Sequence, residues 1–501
     1  MDVLSDALAQ VLTWEVLLVM LASALYGLLV GAIPGLTATL AVALMVPITF
    51  FMDPVPAIAA IVTMAAMAIF AGDLPAVLLR MPGTPASAAY TDQAYQLTMK
   101  GQGEYILGIS AVTSAIGGSI GVLVLMFGAP YLAGIALEFS AFEYFWLACL
   151  GLTAAIMVGG TASISKSVIS LVLGLLVACV GIDPVSGESR FTFGSQALLG
   201  GFGFIPVIIG LFAVAEILRF CLRGDGDHQR LQVAQAPLFG KALREAFRHK
   251  MGVLRGSAIG TLTGALPGAG ADIAAYISYA IARRRPGRDE DDTATAVQQI
   301  APATAANNAA VGGSFIPATV FGIPGDSLTA IVIGVLLMKG LTPGPTIFSD
   351  NASMINAVFL AFLLANLLLI PFGFLAVRAF KQVLRIPQAI LMPAILLFAM
   401  IGAYAVENSL FAVVTILIFG VLGFLLEEHG FPLAPMILGL VLGPLLEETF
   451  VTSMMRSNGD LMAFFERPVS LLLAAVTLGV WLIPPLLRIG RGRGAARAAH
   501  P

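Results

Sequence analysis

The sequence predicts an all-α polytopic membrane protein with about 10–13 transmembrane segments, in which inverted internal repeats carry re-entrant helical hairpins. Three observations lead to this fold class: the composition, the long apolar runs, and a set of Pro-Gly motifs that occur twice. Hydrophobic residues make up 58% of the 501 residues, and charged residues only 11%. A soluble globular domain carries about 25% charged residues, so we expect this chain to lie in a lipid bilayer.

The apolar runs have the length of helical membrane spans. About 20 apolar residues cross the hydrocarbon core as a helix, and such runs occur at 354–377, 389–404, 409–426 and 468–487. They are continuous rather than alternating in hydrophobicity, which excludes a membrane β-barrel. The four histidines and three cysteines show no metal-ligand spacing. We therefore expect no cofactor and no metal site, apart from Na⁺ as a coupling ion.

Basic residues indicate which parts of the chain face the cytoplasm. The segment 219–255 and the tail 488–501 are rich in arginine and lysine, and short basic loops favour the cytoplasmic side. The C-terminus is therefore expected in the cytoplasm. Residues 238–254 space apolar and basic residues at helical period, which predicts an amphipathic helix. This helix either lies on the membrane surface or belongs to a solvated loop.

The segment 256–282 is predicted to enter the membrane and return to the same side. Arg255 precedes it and three arginines, 283–285, follow it. If both flanks are cytoplasmic, its 27 residues are too few for two complete spans, which need about 40. Pro267–Gly268 at its midpoint would break a helix, so a re-entrant hairpin fits. The alternative is a single kinked span with the arginines on the far side.

Two Pro-Gly motifs of the first half return in the second half. Residues 27–35 (GLLVGAIPG) match 260–268 (GTLTGALPG), a shift of 233 positions, and 79–84 (LRMPGT) match 321–326 (FGIPGD), a shift of 242. Such self-similarity predicts a structural repeat. The first motif has acidic rather than basic neighbours, so we expect it to open to the opposite side. Inverted repeats of this kind form transporter sites at the bilayer midplane.

The repeat divides the chain into five parts. The first repeat half is 1–218, with its hairpin around 34–35 and a tip around 82–87, and the basic cytoplasmic loop is 219–255. The second repeat core is 256–380, with its hairpin around 267–268 and a tip around 324–327. The C-terminal transmembrane helices are 381–487, and the basic cytoplasmic tail is 488–501.

The interrupted helices predict a binding site for an anionic solute. A helix N-terminus carries about half a positive charge and several unpaired N–H groups, so it binds a carboxylate without a buried arginine. Glycines allow close backbone approach, and hydroxyls and amides supply further polar contacts. The substrate-binding candidates are Pro34, Gly35, Thr37, Pro82, Gly83, Thr84, Ser87, Pro267, Gly268, Gly270, Asn307, Asn308, Pro324, Gly325, Asp326 and Ser327.

The same region supplies candidates for a cation site, because ionisable residues inside a membrane segment point to function. These candidates are Asp73, Asp272, Asn308 and Asp326. Structural alternatives exist for the whole set, since Pro and Gly also form plain kinks and asparagine also joins helices.

Two other functions stay open on the residues alone. Asp73 and Asp326 could form the dyad of an intramembrane aspartyl protease, in which two carboxylates share a proton. Neither aspartate lies in a Gly-x-Gly-Asp context, and a protease does not explain the duplicated Pro-Gly breaks. A passive anion channel is the second alternative. The transporter interpretation predicts no catalytic residue and no enzymatic activity.

Over nearly its whole length the chain resembles the TctA family, the large membrane subunit of tripartite tricarboxylate transporters. The motifs that carry the resemblance are GLLVGAIPGLTA (27–38), MPGTPASAA (81–89), GIDPVSGESRFTFG (181–194), GALPGAGAD (264–272), ANNAAVGG (306–313) and GIPGDSLTA (322–330).

The resemblance implies a transporter subunit in the bacterial inner membrane that imports a tri-, di- or monocarboxylate by cation symport, usually with Na⁺. It also implies a small TctB-like membrane subunit and a periplasmic TctC-like binding protein that delivers the solute, and no nucleic acid partner. Asp73 and Asp326 depart from the family pattern, which commonly has a glycine and a small residue there. The two added carboxylates either help to bind cations or indicate a solute less charged than citrate.

Overall fold

The computed structural model describes residues 2–33, 36–158, 163–183, 186–223, 239–266, 270–283, 293–383 and 388–481. Within these ranges the chain is almost entirely helical, and one short antiparallel pair, β1 (Gly181–Ile182) and β2 (Ser189–Arg190), is the exception. Seven of the described helices are long and apolar enough to cross a membrane, and six more are apolar but shorter. The predicted all-α polytopic fold is confirmed.

Eleven of the described helices begin before residue 219. They are α1 (Asp2–Val11), α2 (Trp14–Ala32), α3 (Ala38–Thr49), α4 (Pro54–Ala71), α5 (Asp73–Leu79), α6 (Thr91–Met99), α7 (Gly103–Ala136), α8 (Ala141–Val158), α9 (Ile164–Ala178), α10 (Phe204–Ile209) and α11 (Ala215–Arg223). A 3₁₀ turn, Ala86–Ala89, separates α5 from α6, another lies at Gln196–Leu198, and a π-helical turn, Gly210–Val214, joins α10 to α11.

The remaining described helices begin within the basic segment 219–255 or after it. They are α12 (Phe239–Arg248), α13 (Lys250–Gly264), α14 (Gly270–Arg283), α15 (Thr293–Phe321), α16 (Ser327–Met338), α17 (Ile347–Asp350), α18 (Ala352–Val383), α19 (Gln388–Glu407), α20 (Leu410–Glu428), α21 (Leu433–Arg456), α22 (Ala463–Glu466) and a last apolar helix, Pro468–Trp481.

The amphipathic helix predicted at 238–254 is divided in the structure. Helix α12 ends at Arg248, and α13 begins at Lys250. The apolar face of α12 is covered by protein, because Ala242 and Ala246 are buried and the helix packs against α7. The exposed Phe247 is the part of this helix that remains free to touch a membrane surface.

The repeat seen in the sequence recurs in the packing. Helix α2 packs on α4 at two glycines, and α13 packs on α15 in the same way. A Cβ atom added to any of these four glycines would lie within 2.5 Å of a carbonyl oxygen of the facing helix. The contacts are Gly27 on Met64, Gly31 on Ala68, Gly260 on Ala306 and Gly264 on Ala310. The glycines are related by the shift of 233 and their partners by the shift of 242. Small residues let helices approach this closely, so the motif is a packing surface in both copies.

These contacts fix the direction of the helices within each copy. Residue numbers rise together along α2 and α4, and along α13 and α15, so each pair runs parallel. The helix between them, α3 in the first copy and α14 in the second, therefore brings the chain back to the side from which it entered.

The two copies run in opposite directions. Helices α7 and α15 are parallel, since Gly117 lies on Ala305 and Gly121 on Ala309. Helix α18 is antiparallel to α7, because Gly118 meets Asn366 whereas Ala111 meets Gly373 further along α18.

The start of α18 connects this arrangement to the first copy. The Gln10 amide of α1 donates a 2.8 Å hydrogen bond to the Ser353 hydroxyl at the start of α18. Helix α2 follows directly and so begins on the side where α7 and α15 end. Helices α2 and α4 thus run against α13 and α15, as an inverted repeat requires.

Candidate functional site

The described parts of the predicted site lie at the boundary between the two copies. Helix α14 of the second copy packs against the 3₁₀ turn Ala86–Ala89 of the first, and α3 of the first copy packs against α16 of the second. Within the second copy, a Cβ atom on Gly270 would lie 3.2 Å from the Asp326 Cβ. The turn that follows the first tip therefore contacts the returning helix of the second copy, and the N-termini of α14 and α16 lie close together.

The first tip is a compact turn that uses its own hydroxyl groups. The Thr84 and Ser87 side chains each accept a 3.2 Å hydrogen bond from the backbone N–H of the other residue, and the Ser87 hydroxyl donates to the Thr84 carbonyl. Gly83 lies on Gly72, whose carbonyl oxygen would be 2.6 Å from a Cβ atom at this position. Both hydroxyl side chains are buried, while Pro82 is exposed.

The second tip is held in a similar way with different residues. Gly325 lies on Ser314, and the pair matches Gly83 and Gly72 at the shift of 242. The Asp326 carboxylate accepts hydrogen bonds from the backbone N–H and the hydroxyl of Thr329, both at 2.8 Å, and the Thr329 hydroxyl accepts from the Asp326 N–H. This reciprocal capping box starts helix α16. Asp326 therefore has a structural role in addition to its predicted role in the site.

The cap of α16 gives a direct prediction. Asp326→Ala should lower the stability of the protein by about 0.5–2 kcal/mol, because the N-cap hydrogen bonds are lost. Asp326→Asn should cost clearly less, since asparagine caps helices about as well as aspartate. Thermal unfolding of the detergent-solubilised variants compares the two, and equal losses would contradict the capping role.

The asparagine pair lies where the two copies touch. Asn308 is 2% exposed, and its side-chain Nδ2 donates to the Ala66 carbonyl oxygen at 3.3 Å. Ala66 and Asn308 occupy equivalent positions at the shift of 242, and contact between equivalent positions is what a two-fold relation between the copies produces. The Asn308 Oδ1 atom is buried without a hydrogen-bond partner. An unpaired buried polar atom is costly, so this oxygen is available to a ligand.

Asp73 lies in a buried polar cluster that the sequence did not reveal in full. The carboxylate is 1% exposed and accepts a 2.5 Å hydrogen bond from the Tyr90 hydroxyl and a second, shorter one from the Ser110 hydroxyl. The Asn307 side chain also lies close to the Tyr90 hydroxyl and interacts with it. Tyr90 directly follows the MPGTPASAA motif, whereas Ser110 gives no sequence signal, because small polar residues are ordinary in such helices.

The other candidates are placed less completely. Thr37 is half-buried and caps α3 by accepting a 3.1 Å hydrogen bond from the Leu40 N–H, and Ser327 is half-buried at the start of α16. Gly270 begins α14 with a φ of +61°, a backbone angle that favours glycine. Pro34, Gly35, Pro267 and Gly268 lie outside the described residues, and so does the Asp272 side chain.

The aspartyl protease alternative is not favoured by this geometry. Such a dyad needs two carboxylates that share one proton. The Asp73 oxygens bond to hydroxyl groups of Tyr90 and Ser110, and Asp326 bonds to Thr329. The two carboxylates are engaged by different partners. The described residues also contain no group of three or more His, Cys, Asp or Glu side chains that could hold a metal ion.

A separate cavity of about 400 Å³ lies beside the far half of α16. Val177, Phe204, Gly334 and Leu440 are among its mostly apolar lining residues, and Glu407 lies at its wall. None of the predicted site residues lines it. The candidate site is therefore the contact region between the repeats and not this cavity.

The chain is similar in sequence to known proteins. A sequence model described as the tripartite tricarboxylate transporter TctA family matches residues 17–438. A protein of Agrobacterium vitis, described as an uncharacterized 52.8 kDa protein in the TAR-I ttuC' 3' region, is 36% identical over 461 residues, which cover 92% of this chain and 91% of that protein. A second protein of that organism, from the TAR-II ttuC' 3' region, is 35% identical over 230 residues, covering 46% of this chain and 93% of its own length. No solved structure matches the chain.

Proposed function

Because this chain belongs to the tripartite tricarboxylate transporter TctA family, we propose that it imports a small carboxylate by symport with cations, with Na⁺ as the main coupling ion. The observation that carries this proposal is the contact of two oppositely directed repeat copies at Asn308, whose unpaired amide oxygen, Oδ1, can ligate a coupling cation.

The broken helices supply the chemistry for holding an anion. Helix N-termini at α3 and α14 present backbone N–H groups and partial positive charge, and such ends bind carboxylates, whereas the N-terminus of α16 is already capped by the Asp326 carboxylate. Glycines at the tips bring the backbone close to the bound solute. The Asn307 and Asn308 amides add donors and acceptors. Carbonyl groups released at the same breaks are oxygen ligands for a cation such as Na⁺.

Charge balance supports coupling to cations. Moving one charge against the membrane potential costs about 2.3 kcal/mol per 100 mV. A trianion would therefore cost about 7 kcal/mol before any concentration difference is considered. Cations that travel with the solute cancel this cost, whereas a passive channel would let the anion leave along the potential.

The proposal includes partners and an orientation. A tripartite system implies two further proteins, and we assign them as a small TctB-like membrane subunit and a periplasmic TctC-like protein that delivers the solute. The protein is placed in the bacterial inner membrane with its C-terminus in the cytoplasm, on the basis of the basic segments 219–255 and 488–501 and the positive-inside rule.

Uptake into proteoliposomes tests the function directly. The purified protein, with its TctB-like subunit and binding protein, is given a panel of labelled mono-, di- and tricarboxylates with and without an inward Na⁺ gradient. We expect one class of carboxylate to accumulate, and the accumulation to depend on the gradient. Counterflow of labelled solute against unlabelled solute inside distinguishes a carrier from a channel, because a pore shows none. Absence of counterflow for every carboxylate would overturn the proposal.

A further inference from the structure

We propose that Asp73 binds a coupling proton, so that at least one of the cations imported with the solute is H⁺. The inference rests on the proposed transport function and adds to it the identity and the position of one coupling ion. The proton joins a carboxylate oxygen of Asp73 when the site is open to the outside and leaves it when the site is open to the inside.

The first argument is the burial of the carboxylate. Asp73 is 1% exposed at the start of α5, inside a stretch, Pro54–Leu79, that is apolar and long enough to cross a membrane. A charged group in such surroundings is costly, and ionisable residues there are typical of proton pathways. Burial favours the neutral acid over the carboxylate. The site can thus hold a proton without any further ligand.

The second argument is the nature of the groups around the carboxylate. Asp73 accepts from the Tyr90 and Ser110 hydroxyls, and hydroxyls are both donors and acceptors. They satisfy the carboxylate when it is ionised, and by rotating they accept the O–H of the protonated acid. The carboxylate therefore changes its protonation without losing its hydrogen bonds.

The third argument concerns charge. Among the described residues no lysine, arginine or histidine forms an ion pair with Asp73. Helix α4 and the turn Ala86–Ala89 carry no titratable group. The titratable side chains on the other elements packed against α5 are Glu15 and Tyr26 on α2, Tyr90, Asp92, Tyr95 and Lys100 on or beside α6, and Glu104, Tyr105 and Tyr131 on α7. Tyr90 is the one of these that hydrogen-bonds Asp73, and Asp92 pairs with Arg80 at the surface. No cationic side chain among the described residues thus balances the charge of the Asp73 carboxylate, and a bound proton can do so.

The fourth argument is a connection to the solute site. The Tyr90 hydroxyl donates a hydrogen bond to Asp73, and the Asn307 side chain of the other repeat copy interacts with the same hydroxyl. Asn308, with its unpaired Oδ1, is the next residue. A change in the protonation of Asp73 therefore reorders the donors and acceptors in a chain that ends at the contact between the repeats. This chain gives a physical route by which proton binding and solute binding affect each other.

The test uses proteoliposomes in which only the internal pH is varied. The external pH, and with it the ionisation of the external solute, stays fixed, Na⁺ is equal on both sides, and valinomycin with K⁺ sets the membrane potential to zero. Each coupled proton should raise the steady-state solute accumulation about tenfold when the interior is made about one pH unit more alkaline. A trapped pH indicator should report acidification of the interior as solute enters.

Asp73→Asn tests the residue, because asparagine keeps the size and the acceptor oxygen but takes up no proton. We expect this variant to lose the tenfold response while it retains solute counterflow, which needs no net driving force. Asp92→Asn is the matched control, since it removes a nearby carboxylate that is paired at the surface. It should keep both the response and the counterflow.

Three results would overturn the proposal. The first is that solute entry through the native protein neither responds to internal pH nor acidifies the interior. The second is that Asp73→Asn keeps the native response of solute accumulation to internal pH. The third is that Asp92→Asn loses this response as well. If Asp73→Asn does not fold, two other measurements test the proposal. One is the pH-indicator measurement on the native protein. The other is the variant Tyr90→Phe, which removes the link to Asn307 and should weaken the coupling. Counterflow by a native protein without proton coupling would remove this inference and leave the proposed function intact.

Discussion

Gly325→Leu is expected to abolish carboxylate uptake while the protein still inserts in the membrane. A Cβ atom at this position would lie 2.6 Å from the Ser314 Cβ, 2.8 Å from the Ser314 Cα and 3.0 Å from the Gly264 carbonyl oxygen. Backbone cannot yield as a flexible side chain does, so the tip must move away from α15 and from the end of α13. Displacement of positioned groups by about 1 Å is enough for a loss of about 100-fold, and overpacking adds a stability cost of about 1–3 kcal/mol.

The initial rate of uptake in proteoliposomes, normalised to the amount of inserted protein, measures this effect. Gly134→Leu is the matched control, because Gly134 lies on α7 with no atom within 4 Å of an added Cβ. The control should transport at close to the native rate. Native transport by Gly325→Leu would show that the second tip is not part of the solute site.

Asn308→Ala is expected to weaken solute binding by about 10- to 100-fold, the equivalent of a lost hydrogen bond to a charged group at about 1.5–3 kcal/mol. The expected effect is large because Asn308 lies at the contact between the two copies, where Nδ2 can donate to a carboxylate and the unpaired Oδ1 can ligate the coupled cation. Alanine is small and fits the close helix packing, so the fold should be kept. Isothermal titration of the solubilised protein with its transported carboxylate gives the affinity.

Asn366 provides a control of the same kind. It is also buried, its Oδ1 is also unpaired, and its Nδ2 donates within α18 to the Phe362 carbonyl. Asn366→Ala should change the stability by an amount similar to Asn308→Ala but leave the affinity for solute unchanged. An equal loss of affinity in both variants would mean that burial of an amide, and not the position of Asn308, is responsible.

The sequence predicts the fold class and the repeat because each apolar run and each repeated motif is a short, continuous stretch of the chain. Apolar runs mark helices, and the spacing of Gly27 and Gly31 marks a close helix contact that the structure places on α4. The capping role of Asp326 was also readable, since Asp-Ser-Leu-Thr before an apolar run is an N-cap pattern. The charge of this aspartate in an apolar region, by contrast, predicts only a role in the site.

The cluster around Asp73 could not be predicted in full. Ser110 lies 37 positions from Asp73, and its approach follows from how α7 packs on α5, which no local pattern specifies. An interrupted helix such as α16, with 12 residues, is too short to be recognised by a window of about 20 residues. The hairpin turns at Pro34–Gly35 and Pro267–Gly268 lie outside the described residues and stay predictions.

The glycine contacts of α15 have a mechanical consequence. Gly117 and Gly121 of α7 lie on one side of α15, and Gly256, Gly260 and Gly264 of α13 on another, all directly against its backbone. A shift of one helix by a single residue rise, about 1.5 Å, would drive Cβ atoms into carbonyl oxygens, because no layer of adjustable side chains separates them. Helices α7, α13 and α15 must therefore travel as a rigid body. A conformational change that exposes the solute first to one side of the membrane and then to the other has to occur along interfaces filled by larger side chains. The interface between Phe204 and α16 is one of these.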